Sequence, residues 1–192
     1  LKCYNSFEPG TMNHAAFGAK ILFEKRLIRC FVEEDKWDEI IKTAIGHHSD
    51  YCLKGITNKR ELMHAQIIRD ADKLDNCRVK LETAIEILLG VTAEQVGMSE
   101  ITPEVMRQFK NHKSILLETR KTKMDYWISY LAYFYDINFK ATYESIRDNH
   151  YVDKIIGRIP YTNPDTGKQM EQIRNEMNLY IQNAIKENGN YK

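Results

Sequence analysis

The sequence lacks a long apolar run and a charge bias. No stretch approaches the roughly 20 consecutive apolar residues that a membrane-spanning helix needs, and no secretory signal is visible. The 28 basic side chains are almost balanced by 27 acidic ones, and the net charge is +1. This balance gives no electrostatic footprint for nucleic acid or for an anionic membrane. The composition therefore favours a cytoplasmic protein.

The sequence is also poor in cysteine. Its four cysteines, Cys3, Cys30, Cys52 and Cys77, lie more than twenty residues apart and form no Cys-x-x-Cys pair. Zinc sites and redox sites of the common types use closely spaced pairs. In a chain of 192 residues, which is long enough to bury a core of its own, the spacing predicts reduced, buried thiols.

The apolar residues do not alternate along the chain as they do in half-buried strands, and no internal repeat is present. They recur instead at steps of three and four, as on the buried face of a helix. The pattern predicts an all-α protein with about eight helices. An aromatic segment at 126–139 has two interpretations, a platform for stacking a base or the core of a C-terminal helical layer, and the second is favoured.

A charged run, from Ile67 to Cys77, interrupts one of these apolar patterns. Such a run is either a solvated helix face or a set of carboxylates turned inward for chemistry. Residues two apart point in nearly opposite directions on a helix, so Asp70 and Asp72 cannot serve the same site. Asp72 is predicted to face inward, and Asp70 and Lys73 are predicted to face solvent.

Two histidines also fall on apolar faces of predicted helices. His14 lies one turn before Phe17, and His48 continues the apolar stripe of the second helix, whereas His47 points about 100° away on a helical wheel. A histidine in such a position is more often a hydrogen-bonded core residue than a ligand. However, imidazole and carboxylate ligands from facing helices are how helical bundles build metal sites. His14, His48 and Asp72 are therefore a candidate metal-binding set.

Several segments resemble one family. Ala44-Ile45-Gly46-His47-His48-Ser49, followed after about twenty residues by Ile67-Ile68-Arg69-Asp70-Ala71-Asp72-Lys73-Leu74-Asp75, resembles the second half of a bacterial HD-domain (His-Asp) hydrolase. Asn13-His14-Ala15 resembles the middle histidine of that superfamily, and 133–139 is similar to the C-terminal extension of an uncharacterised branch. The resemblance implies an all-α, HD-domain-like multi-helix bundle. It also implies a metal-dependent, mostly phosphohydrolytic activity.

The family's ligands are a histidine, an adjacent His-Asp doublet, further histidines and a late aspartate. By position, the resemblance assigns His14 and His48 as the later histidines, with His47 as the alternative if the register shifts by one, and Asp72 as the late aspartate. The chain contains no His-Asp pair, so the resemblance implies that the doublet precedes Leu1. An HD-like core is then expected at 1–90 and a helical extension at 91–192, packed as one structural domain. In this interpretation the chain as given holds only part of the catalytic centre, and whether it is active on its own is left open.

The function that the resemblance implies is metal-assisted hydrolysis of a nucleotide or another small phosphate ester. The divalent ion, in a site of one or two metals, is not distinguished among Mn, Fe, Ni, Mg, Zn and Co. Lys73, Arg69 and His64 are candidates for neutralising the phosphate, although for Lys73 and Arg69 surface salt bridges with Asp70 and Asp75 are the favoured interpretation. The catalytic residues are not assigned.

Two other functions remain open alternatives. One is a di-iron oxygenase on the same fold, and the other is a non-catalytic helical module that binds or regulates a partner. A homo-oligomer is also open, since nothing in the composition decides the oligomeric state.

Overall fold

The computed structural model describes residues 13–187. These residues form ten α-helices and no strand, which confirms the predicted all-α class. None of these helices combines the length and the apolar composition that crossing a membrane requires. The helices are α1 (His14–Glu24), α2 (Asp38–His47), α3 (Lys59–Glu82), α4 (Ile85–Leu89), α5 (Ala93–Met98), α6 (Pro103–Lys110), α7 (Lys123–Ala132), α8 (Lys140–Asp148), α9 (Tyr151–Ile156) and α10 (Pro164–Glu187).

The chain divides into two compact units, and the division falls inside helix α3. The first unit ends at Arg69 and the second begins at Asp70. A division at residue 90, which the family resemblance suggests, falls between α4 and α5 of the second unit; the two-part organisation that it describes remains a prediction.

Helices α1 and α2 pack on each other in the first unit. Asn13 caps α1, and its side-chain oxygen accepts a hydrogen bond from the Ala16 amide at 3.0 Å, which satisfies one of the unpaired N–H groups of the first turn. The buried residues at the helix contact are small, namely Ala15, Ala19 and Ala44. Small side chains let the two helix backbones approach closely.

The large hydrophobic core lies in the second unit. Trp127, Phe109 and Phe134 are almost fully buried there, together with isoleucines and methionines from α7, α8, α9 and α10. Trp127 and its neighbours belong to the aromatic segment, so the prediction that this segment is core is confirmed. Burial of this many large side chains is the main source of stability in such a unit.

Two helix boundaries differ from the predicted ones. The apolar spacing of the third helix continues along the sequence to Gly90 and predicts one helix up to that residue. However, α3 ends at Glu82, and Ala84, with φ −59° and ψ 143°, leaves the helical conformation before α4 begins. The segment 160–167, which contains Pro160, Pro164 and Gly167, predicts a turn, but α10 already begins at Pro164. The Asn163 side chain accepts hydrogen bonds from the amides of Asp165 and Thr166, and proline is favoured in the first turn of a helix, where its missing N–H costs nothing.

The cysteines in the described part of the chain are free thiols, as expected, but only one of the three is buried. Cys30 is exposed and Cys52 is half-buried, so the prediction that they are core residues is wrong. Cys77 is buried on α3, and burial raises the pKa of its thiol to about 12. Cys3 lies outside the described residues.

Candidate functional site

The first unit brings two of the three predicted ligands together. His14 is the first residue of α1, and His48 directly follows α2. Their Nε2 atoms lie 3.1 Å apart, and their rings meet edge to face with centroids 5.0 Å apart. Neither ring is deeply buried, since His14 is exposed and His48 is half-buried. The expectation that both point into a core is therefore wrong, and the pair lies at the surface of the unit.

The hydrogen bonds of His48 fix the orientation of its ring. Its Nδ1 lies 2.7 Å from the carbonyl oxygen of Ile45. A carbonyl can only accept, so Nδ1 carries the hydrogen and donates it. In the neutral ring, Nε2 then presents a lone pair towards His14. A histidine that donates one ring N–H to a carbonyl and offers the other nitrogen has the arrangement typical of metal-binding histidines.

The separation of the two Nε2 atoms also fits one ion. Two nitrogens that each lie about 2.0–2.1 Å from a zinc ion, at tetrahedral or octahedral angles, are about 2.9–3.4 Å apart. The observed 3.1 Å lies within this interval. Without an ion, the same distance is a hydrogen bond in which His14 Nε2 donates to His48 Nε2. The metal-bound state and the hydrogen-bonded state therefore use the same two nitrogens. The histidine pair by itself supplies two metal ligands.

Arg69 holds the backbone from which His48 projects. Its guanidinium donates to the carbonyl oxygens of His47 and His48, at 3.4 and 3.2 Å, and to those of Asp50 and Tyr51. These carbonyls belong to the last residue of α2 and to the loop that follows it, where the helical hydrogen bonds run out. Arg69 is only 4% exposed, so it is not the surface residue that the salt-bridge interpretation assumes. Within the first unit, Arg69 therefore anchors the loop that follows α2.

Asp72 lies in the second unit, on α3. Its side chain is exposed and accepts a hydrogen bond from Asn76 Nδ2 at 3.3 Å. The prediction that Asp72 faces a core is therefore wrong. The residues that α3 buries include Arg69, Lys73 and Cys77, which follow each other at four-residue steps. The buried face of α3 therefore carries charged side chains. The assignment of Asp72 as a metal ligand stays a prediction.

Asp70 is the carboxylate that is buried, and the sequence pattern missed it. It is 3% exposed. Its two oxygens accept hydrogen bonds from the Asn138 amide at 3.0 and 3.1 Å, from Asn138 Nδ2 at 2.8 Å and from the Phe139 amide at 3.0 Å. These amides lead directly into α8, whose N-terminus favours a negative charge. Asp70 thus fastens the start of α8 to α3 within the second unit.

Lys73 was also predicted to face solvent, but it is 8% exposed. Its ammonium donates to the backbone oxygen of Asp136 at 2.6 Å and to the carboxylate of the same residue at 2.7 Å. Lys73 and Asp70 therefore fix neighbouring parts of the segment between α7 and α8. His64, the third phosphate candidate, is half-buried in the first unit, and its role stays a prediction.

A histidine–acid pair lies next to the His14–His48 pair. His47 Nδ1 is 2.6 Å from the Asp50 carboxylate, whereas His48 faces His14. The two adjacent histidines therefore have separate partners, and the structure pairs His14 with His48. In residues 13–187, no three or more His, Cys, Asp or Glu side chains are grouped so that they could hold a metal ion.

Comparison of the chain with protein-family models, with curated proteins and with solved structures gives no significant match. The resemblance to HD-domain hydrolases therefore rests on the sequence motifs alone.

Proposed function

We propose that this protein is a metal-dependent phosphohydrolase of the HD type, acting on a nucleotide or another small phosphate ester, and that His14 and His48 are two of its metal ligands. The observation that carries the proposal is the convergence of two imidazole Nε2 atoms at 3.1 Å, with His48 held by the Ile45 carbonyl. Imidazole nitrogen suits Zn, Fe, Ni and related transition ions.

A divalent ion bound here would polarise a phosphoryl oxygen and lower the pKa of a coordinated water to about 7. The chain's own contribution is to hold the two nitrogens in place. His14 is placed by the capped start of α1, and His48 is placed by the loop that Arg69 anchors. Asp72 is proposed as the carboxylate ligand on the strength of the family motif.

Among the candidates for neutralising the substrate phosphate, we retain His64. The charges of Arg69 and Lys73 are already engaged with backbone carbonyls or with a carboxylate inside the protein. Moving either charge to a phosphate would break these hydrogen bonds, which is costly for groups that are themselves buried.

Removing one proposed ligand should lower metal binding without changing the stability of the metal-free protein. For His48→Ala and for Asp72→Ala we expect at least a ten-fold weaker affinity for Zn²⁺ or Ni²⁺, because a site with few protein ligands depends on each of them. The melting temperature of the metal-free variants should stay close to that of the wild type, since neither side chain is buried. Calorimetric metal titration and thermal unfolding measure the two quantities.

His150→Asn is the matched control, because His150 is an exposed histidine of the second unit with a left-handed backbone that asparagine tolerates. It should bind metal like the wild type. Unchanged metal affinity in His48→Ala would exclude the proposed site, and a large loss of stability would show that the imidazole is structural.

Activity is tested separately, with p-nitrophenyl phosphate and nucleoside phosphates in the presence of Mn²⁺, Fe²⁺, Ni²⁺ or Mg²⁺. Hydrolysis that is lost in His48→Ala is the expected result. Metal binding without hydrolysis, but with O2-dependent oxidation of Fe²⁺, would favour a di-iron oxygenase instead. Neither metal binding nor hydrolysis would favour a non-catalytic binding module.

A further inference from the structure

A second candidate site lies in the first unit, beside His47. Helices α1 and α2 border a cleft with a volume of about 650 Å³. This volume is within the range of about 300–1,000 Å³ that is typical of small-molecule pockets. Its lining includes His47 but neither His14 nor His48, so it is distinct from the proposed metal site.

The floor of the cleft is apolar. It includes Ala16, Ala19 and Phe23 from α1 and Gly46 from α2. Gly46 has no side chain, and a Cβ built on it would meet only Ala19 Cβ, at 4.0 Å. The absence of bulk on both helices is what leaves the space between them. Such a floor suits the apolar body of a ligand and offers it little to hydrogen-bond.

The charges around the cleft are balanced. Lys20 lies one turn from Glu24 on α1, and Glu39 lies three residues before Lys42 on α2, and all four line the cleft. On a helix, opposite charges at these spacings are neighbours. The four side chains sum to no net charge, so they do not select a phosphate or another anion. This balance favours an uncharged ligand.

His47 supplies the polar group that would orient such a ligand. Its Nδ1 is engaged with the Asp50 carboxylate at 2.6 Å, and Arg69 anchors the backbone oxygens of both residues. The ring atom that remains for a ligand is Nε2. A hydroxyl group both donates and accepts hydrogen bonds, so it can pair with Nε2 whether or not that nitrogen carries a hydrogen.

From the apolar floor, the balanced charges and the oriented imidazole, we propose that the cleft between α1 and α2 binds a small uncharged alcohol or phenol with an apolar body, and that His47 Nε2 pairs with its hydroxyl. One such hydrogen bond contributes about 0.5–1.5 kcal/mol, which corresponds to a change of about two- to twelve-fold in affinity. The apolar contacts with Phe23 and the alanines supply the rest.

The test compares benzyl alcohol with toluene, two probes that share a ring and differ in the hydroxyl. In a titration followed by ¹H–¹⁵N NMR, benzyl alcohol should cause saturable shifts in amides of α1 and α2, and toluene should bind about five-fold more weakly. His47→Phe keeps a ring of similar shape and should remove the difference between the two probes.

Ala16→Phe should block both probes, because it places a ring in the cleft at an exposed position. Ala141→Phe, at an exposed alanine of the second unit, is its control and should leave binding unchanged. The proposal is overturned if neither probe saturates, if the shifts lie outside α1 and α2, or if His47→Phe preserves the preference for the alcohol. Because the probes carry no phosphate and no metal is added, these outcomes are independent of the proposed hydrolase activity.

Discussion

Asp70→Ala should destabilise the second unit by about 2–4 kcal/mol. The substitution removes the acceptor for the amides of Asn138 and Phe139 and for the Asn138 side chain. A buried donor that loses its partner costs about 1–3 kcal/mol, and more when the lost partner was charged. The loss would fall on the segment that leads into α8, whose N-terminal amides gain most from a carboxylate.

The two tryptophans allow this loss to be measured in one unit. Trp127 is fully buried in the second unit, and Trp37 belongs to the first. In a Trp37→Phe background, fluorescence during urea unfolding reports on the surroundings of Trp127. Asp75→Ala is the matched control, because Asp75 lies on the same helix, is exposed and pairs with the exposed Arg78. Exposed ion pairs contribute little, so Asp75→Ala should leave the midpoint almost unchanged. Equal midpoints for the Asp70 and Asp75 variants would contradict the role given to Asp70.

Gly97→Ala should be at least as damaging, with an expected loss of about 3–5 kcal/mol or failure to fold. Gly97 lies on α5, where the chain segment before α10 crosses it. A Cβ at this position would lie 1.9 Å from the Pro160 carbonyl oxygen and 2.8 Å from its carbon. These are backbone atoms, so no side-chain rotation can relieve the overlap. The Gly97 carbonyl also accepts a hydrogen bond from the Asn163 amide at 3.1 Å, and separating the two segments would break it.

Gly167→Ala tests whether this effect comes from contact or from the removal of any glycine. Gly167 lies inside α10, and a Cβ there would meet Tyr161 Cβ at 3.4 Å, an ordinary contact. Alanine is favoured over glycine within a helix by about 1 kcal/mol, so this variant should be as stable as the wild type or more so. Urea unfolding of both variants in the Trp37→Phe background measures the difference. A stable, wild-type-like Gly97→Ala protein would contradict the close approach of α5 to Pro160.

The fold class could be predicted because helical periodicity is a local property of the sequence. Several helices begin near recognisable signals, such as Asn13 before α1 and Pro103 at the start of α6. The break between α3 and α4 has no such signal, since Thr83-Ala84 contains neither glycine nor proline. The start of α10 did have a signal in Asn163-Pro164, but the nearby Gly167 favoured a turn.

The charged run on α3 shows what periodicity cannot reveal. Counting apolar residues placed Asp70 and Lys73 outside and Asp72 inside, and the structure reverses all three assignments. The partners of the buried charges are backbone groups of helix ends far along the chain, at His48 for Arg69 and at Asn138 for Asp70. Such partners are absent from any local pattern. The only hint in the sequence is that a charged run lies inside a long helix.

His14 and His48 lie close together, as predicted, but not because both point into a core. Both were predicted on inward faces, but His14 is exposed at the first residue of α1 and His48 is half-buried after the last residue of α2. What brings them together is the packing of α1 on α2 through alanines. Neither helix pattern alone specifies that contact. The Arg69 anchor, which fixes the loop carrying His48, was likewise beyond the reach of the pattern.

The central claim is that His14 and His48 bind one divalent metal ion. Crystals of the protein soaked in Zn²⁺ or Ni²⁺, with diffraction data collected on both sides of the metal absorption edge, test it most directly. We expect one anomalous peak about 2.0–2.3 Å from both Nε2 atoms, with the His48 Nδ1–Ile45 hydrogen bond retained. The claim is contradicted if the two rings stay hydrogen-bonded to each other at 3.1 Å with no anomalous peak beside them.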